Sequence, residues 1–324
     1  MTRRLWRAAA ALLIALIQPA AHAQAFPNQP LHIIVGGPAG SVDDTHARKI
    51  ADKLAAALGQ PVLIDNRPGA SGNIAADLAA RAKPDGHTLL FTNNGVLGTN
   101  PAVFAKLPYD PLRSFAPVSG LVRAAPLLLV NPQLPVRTLA ELIAYAKARP
   151  GKLSYGSAGI GTAQHLAMEQ FEPLHGLHMV HIPYKGMSDA LSDLIGGRIE
   201  LGLNFLTIAM PHVQSGRLRA LAVAGGNTRK QWLPEVPTAY ELGVPVLDGT
   251  GWNGFVVPAG TPSDVIERLN REIVAAARAK DYMDWVAQIG AEVIADTPAA
   301  IGLFIEAELE RWAEVAKRAG VRVD

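Results

Sequence analysis

Two glycine-rich stretches hold the residues with the clearest chemical potential. They are Gly36-Gly-Pro38-Ala39-Gly40-Ser41-Val-Asp-Asp44 and Tyr155-Gly-Ser157-Ala158-Gly159-Ile-Gly161-Thr162. Unpaired amides at a helix start attract anions, and glycines let a ligand approach the backbone closely. Ser157 and Thr162 add hydroxyl groups that donate or accept hydrogen bonds. Enzyme motifs do not fit the second stretch. Gln164 stands where a dinucleotide fingerprint needs glycine, no Gly-Lys-Ser/Thr run is present, and Tyr155 replaces the first glycine of a nucleophile elbow. No nucleophile is matched with a base by sequence spacing. What remains is a pair of anion cradles built from amides.

Other polar residues are candidates by position. His165 lies on the helix after the second cradle, Asn94 follows a strand end, Asp189 opens a helix, and Asn204 ends a strand. Ligands of open α/β sheets bind beyond strand C-termini. His175, His178 and His181 invite a zinc reading, but a strand over 179–183 would turn residues 178 and 181 to opposite faces. The chain has no H-E-x-x-H motif and no cysteine, so neither a metal nor a cofactor is expected.

These residues must be positioned by alternating strands and helices. Leu31–Val35 reads as a strand entering the first cradle. The helix after it carries Ile50, Leu54, Ala57 and Leu58 on one stripe, and Ser41 with Asp44 has capping-box spacing. Strands follow at 61–65, 87–92, 126–132, 153–157, 179–183, 199–204 and 218–224, with helices between several of them. That alternation implies βαβ units and a mainly parallel sheet. The proline-rich segment 100–119 reads as irregular, and a helix is expected around Tyr240. Helices over 263–279 and 297–319 close the chain, the second with Trp312 on its apolar side.

Met1 to Ala23 reads as a cleavable export signal: Arg3, Arg4 and Arg7, an apolar run from Ala8 to Ile17, then Ala21-His-Ala23. The run is shorter than the roughly 20 residues that span a bilayer. Removing the leader's three arginines leaves 27 basic against 28 acidic residues, no footprint for nucleic acid. With 49% apolar residues and no cysteine, the chain can build large cores without disulfides. A soluble periplasmic protein is expected.

Taken in order, the motifs resemble the Bug (TctC-like) receptors of tripartite tricarboxylate transport systems. They include Gly37-Pro-Ala-Gly…Asp44…Ala47-Arg48, Asp65-Asn-Arg-Pro-Gly-Ala…Gly72-Asn-Ile, Pro84-Asp-Gly86, and Tyr155-Gly-Ser-Ala-Gly…Gly161-Thr…His165-Leu. His181-Ile-Pro-Tyr-Lys-Gly186, Leu221-Ala-Val, Leu233-Pro-Glu-Val-Pro-Thr238 and Pro258-Ala-Gly-Thr-Pro262 continue the set. The resemblance implies an α/β, two-lobed periplasmic-binding-protein fold of type II, with two chain crossings and ligand in the interlobe cleft. Lobe 1 is expected at 24–125 and 250–324, and lobe 2 at 126–249. It also implies capture of a small organic acid between the two loops, with Pro38, Ala39, Gly40, Ser41 and Asp44 on one side. Ser157, Ala158, Gly159, Gly161 and Thr162 stand on the other. A membrane permease is the implied partner, and a monomer is expected. Three departures stand out: Ser41 replaces a second glycine, Asp43 adds an acid beside the cradle, and Asp189 replaces a common proline. Such acids favour a ligand bearing an amine or hydroxyls. A signal-sensing subunit and a secreted α/β enzyme are the alternative readings.

Overall fold

The computed structural model describes residues 26–226 and 233–323; the expected export signal lies outside them. Among the described residues, eleven strands form two sheets, and each sheet is the floor of one lobe. The first sheet contains β1 (Leu31–Val35), β2 (Val62–Asn66), β3 (Thr88–Asn93), β4 (Phe115–Ala124), β10 (Gly251–Pro258) and β11 (Glu292–Val293). Its strand order is β11-β4-β10-β3-β1-β2. The second holds β5 (Pro126–Val130), β6 (Ser154–Ser157), β7 (Val180–Pro183), β8 (Leu201–Phe205) and β9 (Arg219–Val223), in the order β7-β6-β8-β5-β9.

Both sheets are mixed: each receives an antiparallel strand from the other lobe, and in the first sheet β11 is also antiparallel to its neighbour β4. β1 runs parallel to β2 and β3, and β6 parallel to β7 and β8. β10, arriving from the second lobe, is antiparallel to β3 and β4. β5, arriving from the first, is antiparallel to β8 and β9. The crossings, at Ala125 and at Gly249–Thr250, lie side by side. The Ala224 amide donates to Pro126 O at 2.7 Å, and Gly249 donates to Ala224 O at 3.1 Å.

Helices cover both faces of each sheet, so the strands are apolar on both sides. In β5, Leu128 and Val130 join one core while Leu127 and Leu129 join the opposite one, the period-two alternation of a strand. In the first lobe, Leu31, Ile33 and Val35 pack on α1 (Val42–Leu58) through Ile50 and Leu54. α8 (Ser263–Ala277) and α9 (Lys280–Gln288) complete that face with Leu269 and Tyr282. The opposite face takes α2 (Asn73–Ala80) and α10 (Pro298–Ala319). α3 (Asn100–Val103) follows a wide turn over Gly95–Thr99. The second lobe carries α4 (Leu139–Lys147), α5 (Ala163–His175), α6 (Met187–Ile195) and α7 (Leu206–Gln214). A further cluster spans the lobes: Val103, Trp312 and Val315 pack against Ala163 and Leu166 of α5.

Three segments depart from the sequence reading. The stretch 100–119 is not wholly irregular, because Phe115 onward forms β4, paired with β10 along its length and with β11 at its end. Around Tyr240 no helix forms. Thr238 and Glu241 exchange both hydrogen bonds of a capping box, yet Gly243 at φ +74° and Pro245 end it after one turn. The expected 263–279 helix is α8 alone, and α9 follows as an unexpected second helix.

Candidate functional site

The two glycine-rich stretches are the loops at the C-terminal ends of β1 and β6, and each runs into a helix start. The first loop is braced by Asp44, which is 2% exposed. Its Oδ2 accepts from the Gly40 amide at 2.8 Å and from Arg48 Nε at 2.9 Å, while Oδ1 accepts from Asn66 Nδ2 at 2.9 Å. Burial alone would raise its pKa; these donors overcome that and hold it at about 2. Asn66 also donates to Gly37 O, at 3.0 Å. Asp44 was expected to meet ligand. In the structure its oxygens accept from Gly40, Arg48 and Asn66, so it positions the loop.

Ser41 is the N-cap of α1, its hydroxyl accepting from the Asp44 amide at 3.2 Å. The capping box is displaced by one residue, since the acid reaches back to Gly40 rather than to Ser41. With Gly40, Ser41 and Asp44 amides used internally, those of Val42 and Asp43 stay without helical partners at the dipole's positive end. Pro38, Ala39 and Gly40 are exposed, and Ser41 is half-exposed.

The second loop is built the same way from different parts. Thr162 caps α5, accepting from the His165 amide and donating to Gly159 O at 2.9 Å. The Gly161 amide donates to His165 Nδ1 at 3.1 Å, and Gly159 donates to Ser157 Oγ at 3.2 Å. That leaves the helix-start amides of Ala163 and Gln164. His165, expected near the ligand, is 4% exposed and supports the loop from beneath.

Ser157 Oγ lies 2.7 Å from His181 Nε2, a nucleophile and base that spacing did not reveal. Adjacent parallel strands β6 and β7 bring them together across 24 residues. Ser157 is fully buried, and its hydroxyl also meets Gly159 O at 3.0 Å. A substrate carbonyl cannot approach it, so the pair braces the loop. His181 stacks on His165 and Tyr155, at centroid distances of 3.9 and 4.9 Å. Burial, with the neighbouring His165, lowers its pKa to about 4. His175 and His178 take no part in this stack.

The remaining candidates divide. Asn94, expected near the ligand, is 7% exposed and donates to Glu308 Oε2 at 2.8 Å, which ties the strand end to α10. Asn204 is the penultimate residue of β8, next to β6; it is 1% exposed, and its Oδ1 has no partner among the described residues. Asp189 is exposed on the first turn of α6. Ala158, Gly159 and Ile160 form the exposed side of the second loop, with Ile160 53% exposed; Val42 beside the first loop is 59% exposed. A cavity of about 400 Å³ lies elsewhere, behind the crossings, lined by Arg123, Tyr240, Asp248, Trp252, Glu292 and Arg311. Its arginines are already paired, Arg123 with Glu292 and Arg311 with Glu308.

Residues 46–321 match the family model described as the tripartite tricarboxylate transporter family receptor, TctC. The chain belongs to the TctC family. This family is one of solute-binding receptors, not of enzymes, and the fold is the two-lobed type II form of periplasmic binding proteins. Among TctC relatives, Protein BugT of Bordetella pertussis is 37% identical over 93% of this chain and 92% of its own length. A solved structure described as R. palustris Rpa4515 with adipate superposes with a TM-score of 0.80 at 36% identity, covering 92% of this chain and 99% of that one. MatC from Rhodopseudomonas palustris with bound malate gives 0.77 at 31%, covering 90% and 99%. The family match begins at His46, so the first loop of this TctC chain lies just outside it.

Proposed function

We propose that this protein is a periplasmic receptor that captures a small carboxylated solute between its two glycine-rich loops and hands it to a tripartite tricarboxylate transporter permease. One observation carries the reading. Each lobe presents a capped helix start whose bracing hydrogen bonds leave the first two amides of the helix unspent. Such amides hold a carboxylate at the positive end of a helix dipole without a fixed charge, so binding stays reversible. Val42 and Ile160, exposed beside these amides, suit the carbon skeleton of an organic acid. The adipate and malate named for similar structures are acids of this class. Met1 to Ala23 would direct the protein to the periplasm.

Thermal melting of the mature protein against short mono-, di- and tricarboxylates tests the reading. At a ligand concentration of about 100 Kd, stabilisation should reach about 2.7 kcal/mol, a shift of several degrees. The matching amides and alcohols should leave the midpoint unchanged. Stabilisation by those neutral analogues equal to that by the acids would defeat it.

A further inference from the structure

Asp43 is treated differently from every other group of the first loop. It occupies the second position of α1, half-buried, and its Oδ2 accepts from Asn93 Nδ2 at 2.7 Å. Among the described residues its other oxygen has no hydrogen-bond donor and no cation pairs with it. Asn93 is fixed in this orientation because its own Oδ1 accepts from the Val96 amide at 3.1 Å. Burial pushes the Asp43 carboxyl above the ordinary range, and the Asn93 bond offsets only part of that. Directly opposite Asn93 in the β3–β10 ladder stands Asn253, 7% exposed, whose buried Oδ1 also lacks a partner.

An acid without a counter-charge therefore sits on the same helix turn as the amides that would receive an anion. A bare carboxylate bound there would be repelled by Asp43, at a distance where partial burial weakens screening. A positive charge carried by the solute itself removes the conflict. It would supply the cation Asp43 lacks and the donor its free oxygen lacks. Asp189 offers no comparable site, because it is exposed and water screens it. Asp44 offers none either, because Arg48 already neutralises it.

We propose that Asp43, held by Asn93, is a specificity-determining residue that selects an ammonium group, so the solute is an amino carboxylate. This rests on the carboxylate-capture reading above. The carboxylate would meet the amides of Val42 and Asp43, and the adjacent ammonium would meet the Asp43 carboxylate.

The test is calorimetric titration of the mature protein, freed of bound solute, with matched pairs: succinate and aspartate, glutarate and glutamate, with malate as the hydroxyl analogue. The amino member of at least one pair should bind roughly tenfold tighter or more than its parent. D43N should weaken the amino acid by a similar factor and tighten the plain diacid, a reversal that mere loosening of the loop would not give. Loss of both ligands alike in D43N, or preference for the plain diacid in the wild type, overturns the proposal. Preference for malate over both would assign Asp43 to a neutral donor instead, which also overturns it. Diacid binding without an amino preference leaves the capture reading standing, whereas no binding of any carboxylate removes both.

Discussion

His165 and His181 stack with ring centroids 3.9 Å apart, and each braces a different point of the second loop, Gly161 through an amide and Ser157 through a hydroxyl. Burial and the stacked neighbour disfavour a charge on the His181 ring.

Stability should therefore fall in mild acid. His181 in the folded protein keeps a pKa of about 4, against 6.5 in an unfolded chain. Between those values the unfolded state binds the extra proton, so stability decreases as pH drops from 6.5 toward 4 and then levels. His46, buried near Lys49 and also lowered to about 4, adds a slope of the same sign. The measurement is the melting midpoint of wild type and H181Q across that window. Wild type should lose more on acidification; equal slopes would show that His181 titrates alike in both states.

Asp44 should matter more for stability than for ligand chemistry. D44A removes an almost fully buried carboxylate, leaving the Gly40 amide without its acceptor and taking one hydrogen bond each from Asn66 and Arg48. The expected cost is about 2–4 kcal/mol in urea unfolding. The wild-type contribution is present above pH 3.8 and is lost as pH falls toward 2, because folding depresses this pKa. A cost below about 0.5 kcal/mol would mean that the loop holds without it.

Local physics made the cradles legible. Ser41 and Thr162 announce their helices by side-chain chemistry a few residues long, and glycine spacing marks the turns before them. What stayed hidden depends on distant partners. β4 contains Pro117 and reads as irregular, yet it is a strand because β10 pairs with it from 127 to 143 positions downstream. Ser157 and His181 meet only because β6 and β7 are neighbours. The one-turn stop at Gly243 shows the reverse, a capping box that local sequence permits and a glycine then ends. At the site itself, residue type identified polar groups but not their direction. Asp43 and Asp44 are identical neighbours, and the helix turns one toward Arg48 and Asn66 and the other toward Asn93.

Glu308 should be a structural keystone of the first lobe. It is 6% exposed and accepts from Asn94 Nδ2 at 2.8 Å, Trp312 Nε1 at 2.9 Å and Arg311 at 3.2 Å. E308A strands three donors, one of them charged, at an expected cost of about 3–5 kcal/mol. E308Q keeps the shape but loses the charge, and should cost less. Fluorescence of Trp312 gives a local readout: its emission should change in E308A before global unfolding. An unchanged midpoint in E308A would contradict this assignment.

Gly161 is where the second loop touches the first lobe. Its φ of +80° is the left-handed conformation, and a Cβ there would come within 2.8 Å of Val103 Cγ2 on α3. G161A thus combines two penalties, about 1 kcal/mol of backbone strain and a clash that pushes the loop away from the opposite lobe. Carboxylate affinity should fall roughly tenfold or more, because the two cradles no longer close on one ligand together. V103A removes the clash but not the strain. The double variant should therefore recover part of the affinity lost in G161A, while V103A alone changes it less. If the double variant binds no better than G161A, backbone strain rather than the contact between lobes sets the loop's position.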